Sequence, residues 1–193
     1  MSRLDLKKSG LSTPTASVWG SRFIVSAIIQ GAIITLLTLL SVAVQLMLSS
    51  INIIQYLSLT FEGASKWVFF GFIVYLILTV AIAVTAVFYN HLETHMRKRI
   101  GRFRTILAWT HLLGMNVGGT AIAITMIFAG LMGSGILGVI TNGGSATAVA
   151  NNAVLVQYIP SIATFAAILA IGVIAGGIAF ISTYLQKNPL STE

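Results

Sequence analysis

Residues 67–88 read WVFFGFIVYLILTVAIAVTAVF and contain no charged side chain. At about 1.5 Å per helical residue, this stretch is long enough to cross the roughly 30 Å hydrocarbon core of a bilayer. Because that core offers backbone N–H and C=O groups no water, the stretch must form an α-helix rather than an open strand. Comparable apolar stretches lie near residues 23–49, 106–132 and 158–184. The sequence therefore predicts an all-α integral membrane protein with four transmembrane helices.

The composition leaves no room for a separate soluble domain. Of the 193 residues, 56% are hydrophobic and only 8% are charged. We therefore predict one transmembrane domain, residues 23–186, between a polar N-terminal tail, residues 1–22, and a short C-terminal tail, residues 187–193. The first apolar stretch is too long for a signal peptide, so we expect it to be retained as a helix. Cysteine is absent, which excludes disulfides, thiolate metal sites and covalent c-type haem attachment.

The basic residues lie almost entirely on one side of the predicted membrane. Every lysine and arginine except Lys66 precedes the first span, lies between the second and third, or follows the fourth. Basic residues concentrate in cytoplasmic loops, so we predict a cell-membrane protein with both termini cytoplasmic. The net charge of +7 reflects this distribution and does not indicate nucleic-acid binding. Anionic lipid headgroups are the expected partners of the cluster in the middle loop, which comprises Arg97, Lys98, Arg99, Arg102 and Arg104.

Small residues in the last two spans predict a close helix contact. Without a hydrophobic drive between helices in lipid, association relies on close van der Waals approach, which glycine permits. The glycines expected at this contact are Gly114, Gly118 and Gly119 in the third span and Gly172, Gly176 and Gly177 in the fourth.

Isolated amides interrupt two of the spans. Gln30 and Gln45 lie in the first span and Asn116 lies in the third. An amide in hydrocarbon usually faces another helix, so we expect all three to make buried polar contacts. His111 lies about one turn inside the third span, and we expect it, like Asn116, to bond another helix or a partner subunit.

Several function classes find little support in the sequence. Ion-coupled pumps and channels normally place charged groups inside the membrane, yet no carboxylate or ammonium falls within a span. The two halves of the chain also lack the similarity expected of a transporter built from repeats. The glycines of GMNVGG, residues 114–119, lie inside a span rather than after a strand, so they do not indicate a phosphate loop. We expect no catalytic residue in this chain.

The three histidines are the residues best suited to hold a redox cofactor. A b-type haem can use two imidazoles on neighbouring helices, and His91 with His111 is the candidate pair, although their depths in the membrane differ. His91 and His95 share a helix face at i,i+4 spacing and are candidate ligands for an interfacial metal ion, with Glu93 elsewhere around the helix. A third ligand is not evident. These considerations favour packing or headgroup roles for the histidines.

Two segments resemble a known group of membrane proteins. They are KWVFFGFIVYLILTVAIAVTAVFYNHLE, residues 66–93, and LAWTHLLGMNVGGTAIAITMIFAG, residues 107–130. The chain resembles the small four-helix membrane proteins that accompany archaeal haem-copper terminal oxidases. The resemblance implies an accessory subunit with no cofactor of its own, because haem and copper would be held by partner subunits.

Three hypotheses follow from the sequence. The leading one is a non-catalytic, multi-pass subunit of a respiratory membrane complex, an archaeal-type terminal oxidase, which supports assembly and stability. The second is a haem b- or quinone-binding electron-transfer subunit that uses His111 with His91 or His95. The third is a structural subunit of another membrane complex, such as a copper membrane monooxygenase.

Overall fold

The computed structural model of the protein describes residues 17–47, 63–142, 151 and 153–186. This part of the chain contains helices and no strand. Four helices are long and apolar enough to cross a membrane, which confirms the predicted fold class. The predicted tail segments 1–16 and 187–193 lie outside the described residues. The helices are α1 (Val18–Met47), α2 (Lys66–His95), α3 (Arg102–Gly133), the short α4 (Ile136–Thr141) and α5 (Ala153–Tyr184).

The first helix begins earlier than the sequence predicted. We placed residues 18–22 in a tail, but α1 already starts at Val18. The Ser17 hydroxyl accepts a hydrogen bond from the Gly20 N–H at 2.9 Å, which caps the helix. Glu93 at the end of α2 accepts from the Trp19 N–H at 2.9 Å and from the Ser17 hydroxyl at 2.5 Å. A carboxylate at the N-terminus of α1 also interacts favourably with the positive end of the helix dipole.

The second helix ends in a wide turn. Residues His91–His95 form a single π-helical turn, after which Arg97 adopts a left-handed conformation with φ of 51°. The Lys98 N–H donates to the Leu92 carbonyl at 3.0 Å. This hydrogen bond satisfies the Leu92 carbonyl, which the end of the helix would otherwise leave without a partner. It also closes the turn that leads back towards α3.

The long helices pack as antiparallel neighbours in the order α1, α2, α3, α5. One face of α2 contacts α1 and another contacts the half of α3 that follows Gly119, whereas α5 runs along the whole of α3. Large side chains fill the space between α1, α2 and α3, and Phe23, Tyr75, Ile82 and Tyr89 are all almost fully buried. The outward faces of the helices carry large apolar side chains, as lipid contact requires.

Glycines bring α3 and α5 into backbone contact. A Cβ atom added to Gly114 would lie 2.6 Å from the Cα of Gly172, and one added to Gly118 would lie 2.7 Å from the Leu169 nitrogen. A Cβ on Gly176 would overlap the His111 ring. The contact therefore depends on the absence of side chains at these positions.

Two of the glycines expected at this contact lie elsewhere. Gly119 faces α2, where an added Cβ would meet the Leu78 side chain at 2.5 Å. Gly177 is exposed, and a Cβ there would meet no atom within 4 Å. Consecutive residues differ by about 100° around a helix. Gly118 and Gly119 therefore cannot both face α5, and Gly176 and Gly177 cannot both face α3.

We predict that Gly172→Ala destabilises the bundle and that Gly177→Ala does not. The new methyl group at position 172 would lie 2.8 Å from the Gly114 Cα, so the helices must separate. Overpacking of this kind typically costs about 1–3 kcal/mol. The measurement is the free energy of unfolding in mixed detergent micelles, with Gly177→Ala as the matched control on the same helix. Equal stability of the two variants would contradict a glycine-dependent contact.

Candidate functional site: a polar cluster and a buried histidine

Five polar side chains from α1, α2 and α3 meet inside the bundle. We call this group the polar cluster, and its members are Ser26 and Gln30 of α1, Tyr75 of α2, and Asn116 and Thr120 of α3. All five are neutral at ordinary pH. Their hydrogen bonds connect three helices in the interior of the bundle, apart from the contact of Glu93 with the start of α1.

Gln30 and Asn116 lie at the centre of the polar cluster. The Asn116 Oδ1 accepts from the Gln30 Nε2 at 2.8 Å and from the Ser26 hydroxyl at 2.5 Å. The Gln30 Oε1 accepts from the Tyr75 hydroxyl at 2.7 Å and from the Thr120 hydroxyl at 3.2 Å. Each amide thus serves as both donor and acceptor, and each of the two amide oxygens accepts two hydrogen bonds.

The backbone around Asn116 helps to aim its side chain. Residues Gly114–Gly119 form a π-helical turn within α3, and such wide turns often occur where a side chain is redirected for a specific purpose. The Asn116 Nδ2 donates to the Leu112 carbonyl at 2.8 Å, which fixes the orientation of the amide. The Asn116 Oδ1 is thereby presented to α1.

His111 occupies a second buried position among aromatic rings. Its ring centroid lies 5.2 Å from that of Phe23 and 6.2 Å from that of Tyr89, and the Gly176 backbone closes the side towards α5. Only 9% of the His111 surface is exposed. Among the described residues, no hydrogen-bond partner is found for the His111 Nδ1 or for the Tyr89 hydroxyl. His111 therefore differs from Asn116, which bonds another helix as we expected.

The other two histidines lie apart from His111. His91 and His95 are exposed and stack on each other, with ring centroids 5.2 Å apart. Glu93, between them in sequence, turns instead to the start of α1. The described residues include no group of three or more His, Cys, Asp or Glu side chains placed to hold a metal ion. The structure thus brings together neither His91 with His111 nor Glu93 with the exposed pair.

The predicted lipid-facing basic residues divide into two groups. Lys98 donates to the Tyr184 carbonyl at the end of α5, and Arg104 donates to the Gln186 Oε1 at 2.7 Å. Arg97, Arg99 and Arg102 are exposed. Part of the basic cluster therefore holds the end of α5 in place, while the rest remains accessible to headgroups.

Sequence reasoning found the amides of the polar cluster but missed its hydroxyls. Ser26 precedes Gln30 by four residues and Thr120 follows Asn116 by four, so each pair shares a helix face. The four-residue spacing is therefore a sequence signal that places Ser26 and Thr120 beside the amides of the polar cluster. Tyr75 also has a polar residue four positions away, Thr79, but that hydroxyl donates to the Tyr75 carbonyl and not to the polar cluster. Gln45, the third amide expected to make a buried contact, lies partly exposed near the end of α1 and takes no part in the polar cluster.

We predict opposite outcomes for two buried tyrosines of α2. Tyr75→Phe removes a hydrogen bond to Gln30 and should lower the free energy of unfolding by about 0.5–1.5 kcal/mol. Tyr89→Phe removes a hydroxyl without a partner among the described residues, so it should leave stability unchanged or raise it slightly. Unfolding in mixed micelles measures both changes. A loss at Tyr89→Phe as large as that at Tyr75→Phe would contradict this assignment.

No known protein family, curated protein sequence or solved structure matches this chain.

Proposed function

We propose that the protein is a non-catalytic, multi-pass subunit of a larger membrane complex. The observation that carries this proposal is the closed polar cluster. Its hydrogen bonds run between helices of the same chain and lock Gln30 and Asn116 into one arrangement. Groups used in this way hold helices together, and they leave an apolar outer surface that other helices or lipids can cover.

The placement of the histidines favours this proposal over the electron-transfer alternative. A haem held by two imidazoles requires both rings to face one space. His111 is enclosed by Phe23, Tyr89 and Gly176, whereas His91 is exposed beside His95. We propose that haem and copper are held by partner subunits, as the resemblance implies.

The parent complex that we propose is a respiratory terminal oxidase of the archaeal haem-copper type. This step rests on the resemblance carried by residues 66–93 and 107–130. Trp109 and His111 belong to those segments, and in the fold they lie beside Trp19 and Phe23 of α1. The resemblance thus includes residues that join two helices of the bundle.

We further propose that both termini face the cytoplasm. Arg22 near the start of α1 and the residues that precede α3 lie at one end of the bundle, where Lys98 also reaches the end of α5. Lys66 lies at the opposite end. The positive-inside rule assigns the basic end to the cytoplasm.

Cysteine labelling tests this orientation without background, since the natural chain contains no cysteine. We predict that Asn142→Cys reacts with a membrane-impermeant maleimide in intact cells and that Arg102→Cys reacts only after the membrane is opened. Labelling of Arg102→Cys in intact cells, with Asn142→Cys protected, would reverse the assignment.

The test of the proposed function is purification of the tagged chain from its native membranes. We predict that the catalytic subunit of a haem-copper oxidase co-purifies, and that separation of the two leaves this chain without a haem spectrum. His111→Leu should reduce recovery of the partner through disturbed packing, whereas His95→Leu on the exposed surface should not.

A reduced-minus-oxidised spectrum decides between this proposal and the electron-transfer alternative. A b-type α-band in the isolated chain that His111→Leu abolishes would refute an accessory role. Co-purification of a copper monooxygenase instead of an oxidase would retain the structural role but change the parent complex.

A further inference from the structure

An open groove runs along the outer surface between α1 and α3. Its volume is about 450 Å³, and it is largely open to the surroundings. The groove extends from Ser21 to Ile29 along α1, which is about 12 Å at 1.5 Å per residue. Its lining is formed by Ser21, Arg22, Val25, Ser26, Ile29, Leu112, Leu113 and Asn116.

Arg22 provides a fixed positive charge at one end of the groove. Its guanidinium carbon lies 4.6 Å from the Trp19 ring centroid and 4.8 Å from the Trp109 ring centroid. Cation–π contacts with two indole rings hold the guanidinium in place, and a guanidinium carries five N–H donors with which to meet an anion. The Arg22 side chain is exposed, so these donors can be reached from the membrane surface.

The acidic group nearest in the fold is already engaged. Across residues 17–47, 63–142, 151 and 153–186, Glu93 is the only acidic side chain. Its Oε2 accepts hydrogen bonds from Ser17 and from the Trp19 N–H. An anion from outside the bundle is thus the complementary partner for Arg22.

Beyond Arg22 the groove suits a hydrocarbon chain. Val25 and Ile29 line one side and Leu113 lines the other, and all three are exposed. The polar residues of the floor, Ser26 and Asn116, are hydrogen-bonded within the polar cluster. A tail without polar atoms can cover this floor without breaking those bonds.

We propose that this groove is a binding site for one anionic phospholipid. Its phosphate lies at the Arg22 guanidinium and the neighbouring Ser21 hydroxyl, and one acyl chain follows the groove towards Ile29. Charge-assisted bonds from arginine to phosphate oxygens hold the headgroup. Because the walls of the groove are apolar, a lipid fits it better than a free phosphate. The two tryptophans hold Arg22 in place, whereas an arginine on a mobile loop has no such support.

The test is lipid binding to the detergent-purified chain, measured by native mass spectrometry. The probes are phosphatidylglycerol and phosphatidylcholine with identical acyl chains. We expect phosphatidylglycerol to bind more tightly, and Arg22→Gln to weaken it about fivefold, the effect of one basic residue at an anionic surface. Lys66→Gln removes a basic residue at the opposite end of the bundle, away from both the groove and the basic cluster, and should change the affinity less than twofold.

A second variant tests the groove itself. Val25→Trp fills the space between α1 and α3 without removing a charge, and we expect it to weaken binding of both lipids. It also keeps the proposal testable if Arg22→Gln fails to fold. Equal affinity of the natural chain for the two lipids, or equal losses at Arg22→Gln and Lys66→Gln, would overturn the proposal. So would a quinone that occupies the groove independently of Arg22.

Discussion

The structure depends on one constraint, that a backbone or amide group inside hydrocarbon must find its partner within protein. The backbone meets this constraint by forming helices, but side-chain amides require a second helix. Gln30 cannot be satisfied by α1 alone, and its two ends are bound by Asn116 of α3 and Tyr75 of α2. The requirement of a single amide thus determines how three helices are placed around it.

α3 is central to the bundle, because it makes a different kind of contact with the helix on each side. Towards α5 it presents Gly114 and Gly118, so the two backbones come into contact. Towards α1 it presents Asn116 and Thr120, which bond to Gln30. The π-helical turn at Gly114–Gly119 contains both the glycines and the asparagine, so one local widening supports both contacts.

The end of the bundle that carries Arg22 combines charge and aromatic packing. Glu93 at the end of α2 bonds the start of α1. Lys98, in the connection between α2 and α3, bonds the end of α5. Trp19 packs edge-on against Trp109, with ring centroids 5.5 Å apart, and the Arg22 guanidinium makes cation–π contacts with both rings. Aromatic rings and basic side chains are well suited to the headgroup region. Under the accessory-subunit hypothesis, this end of the bundle is a surface at which lipids and partner helices can contact the protein.

The sequence by itself determined the number, type and approximate position of the four membrane helices. Hydrophobic length alone is sufficient for that result, since only a helix satisfies its own backbone in lipid. It also indicated that Gln30 and Asn116 bond other helices, because an amide in a long apolar stretch stands out; Gln30 is buried and Asn116 is half-buried. The predicted spans omitted the first turn of α1, since hydropathy does not register a cap formed by Ser17 and the distant Glu93.

Only the tertiary structure decided which partner each side chain meets. Hydropathy measures length along a helix, whereas partners depend on rotation about the helix axis and on its local register. Gly176 faces His111 while Gly177 faces outwards, although the two are adjacent in sequence. Tyr75 joins the polar cluster, whereas Tyr89 lies beside His111; hydropathy indicates the depth of each tyrosine but not its partner. Such differences of about 100° per residue are fixed when the helices pack.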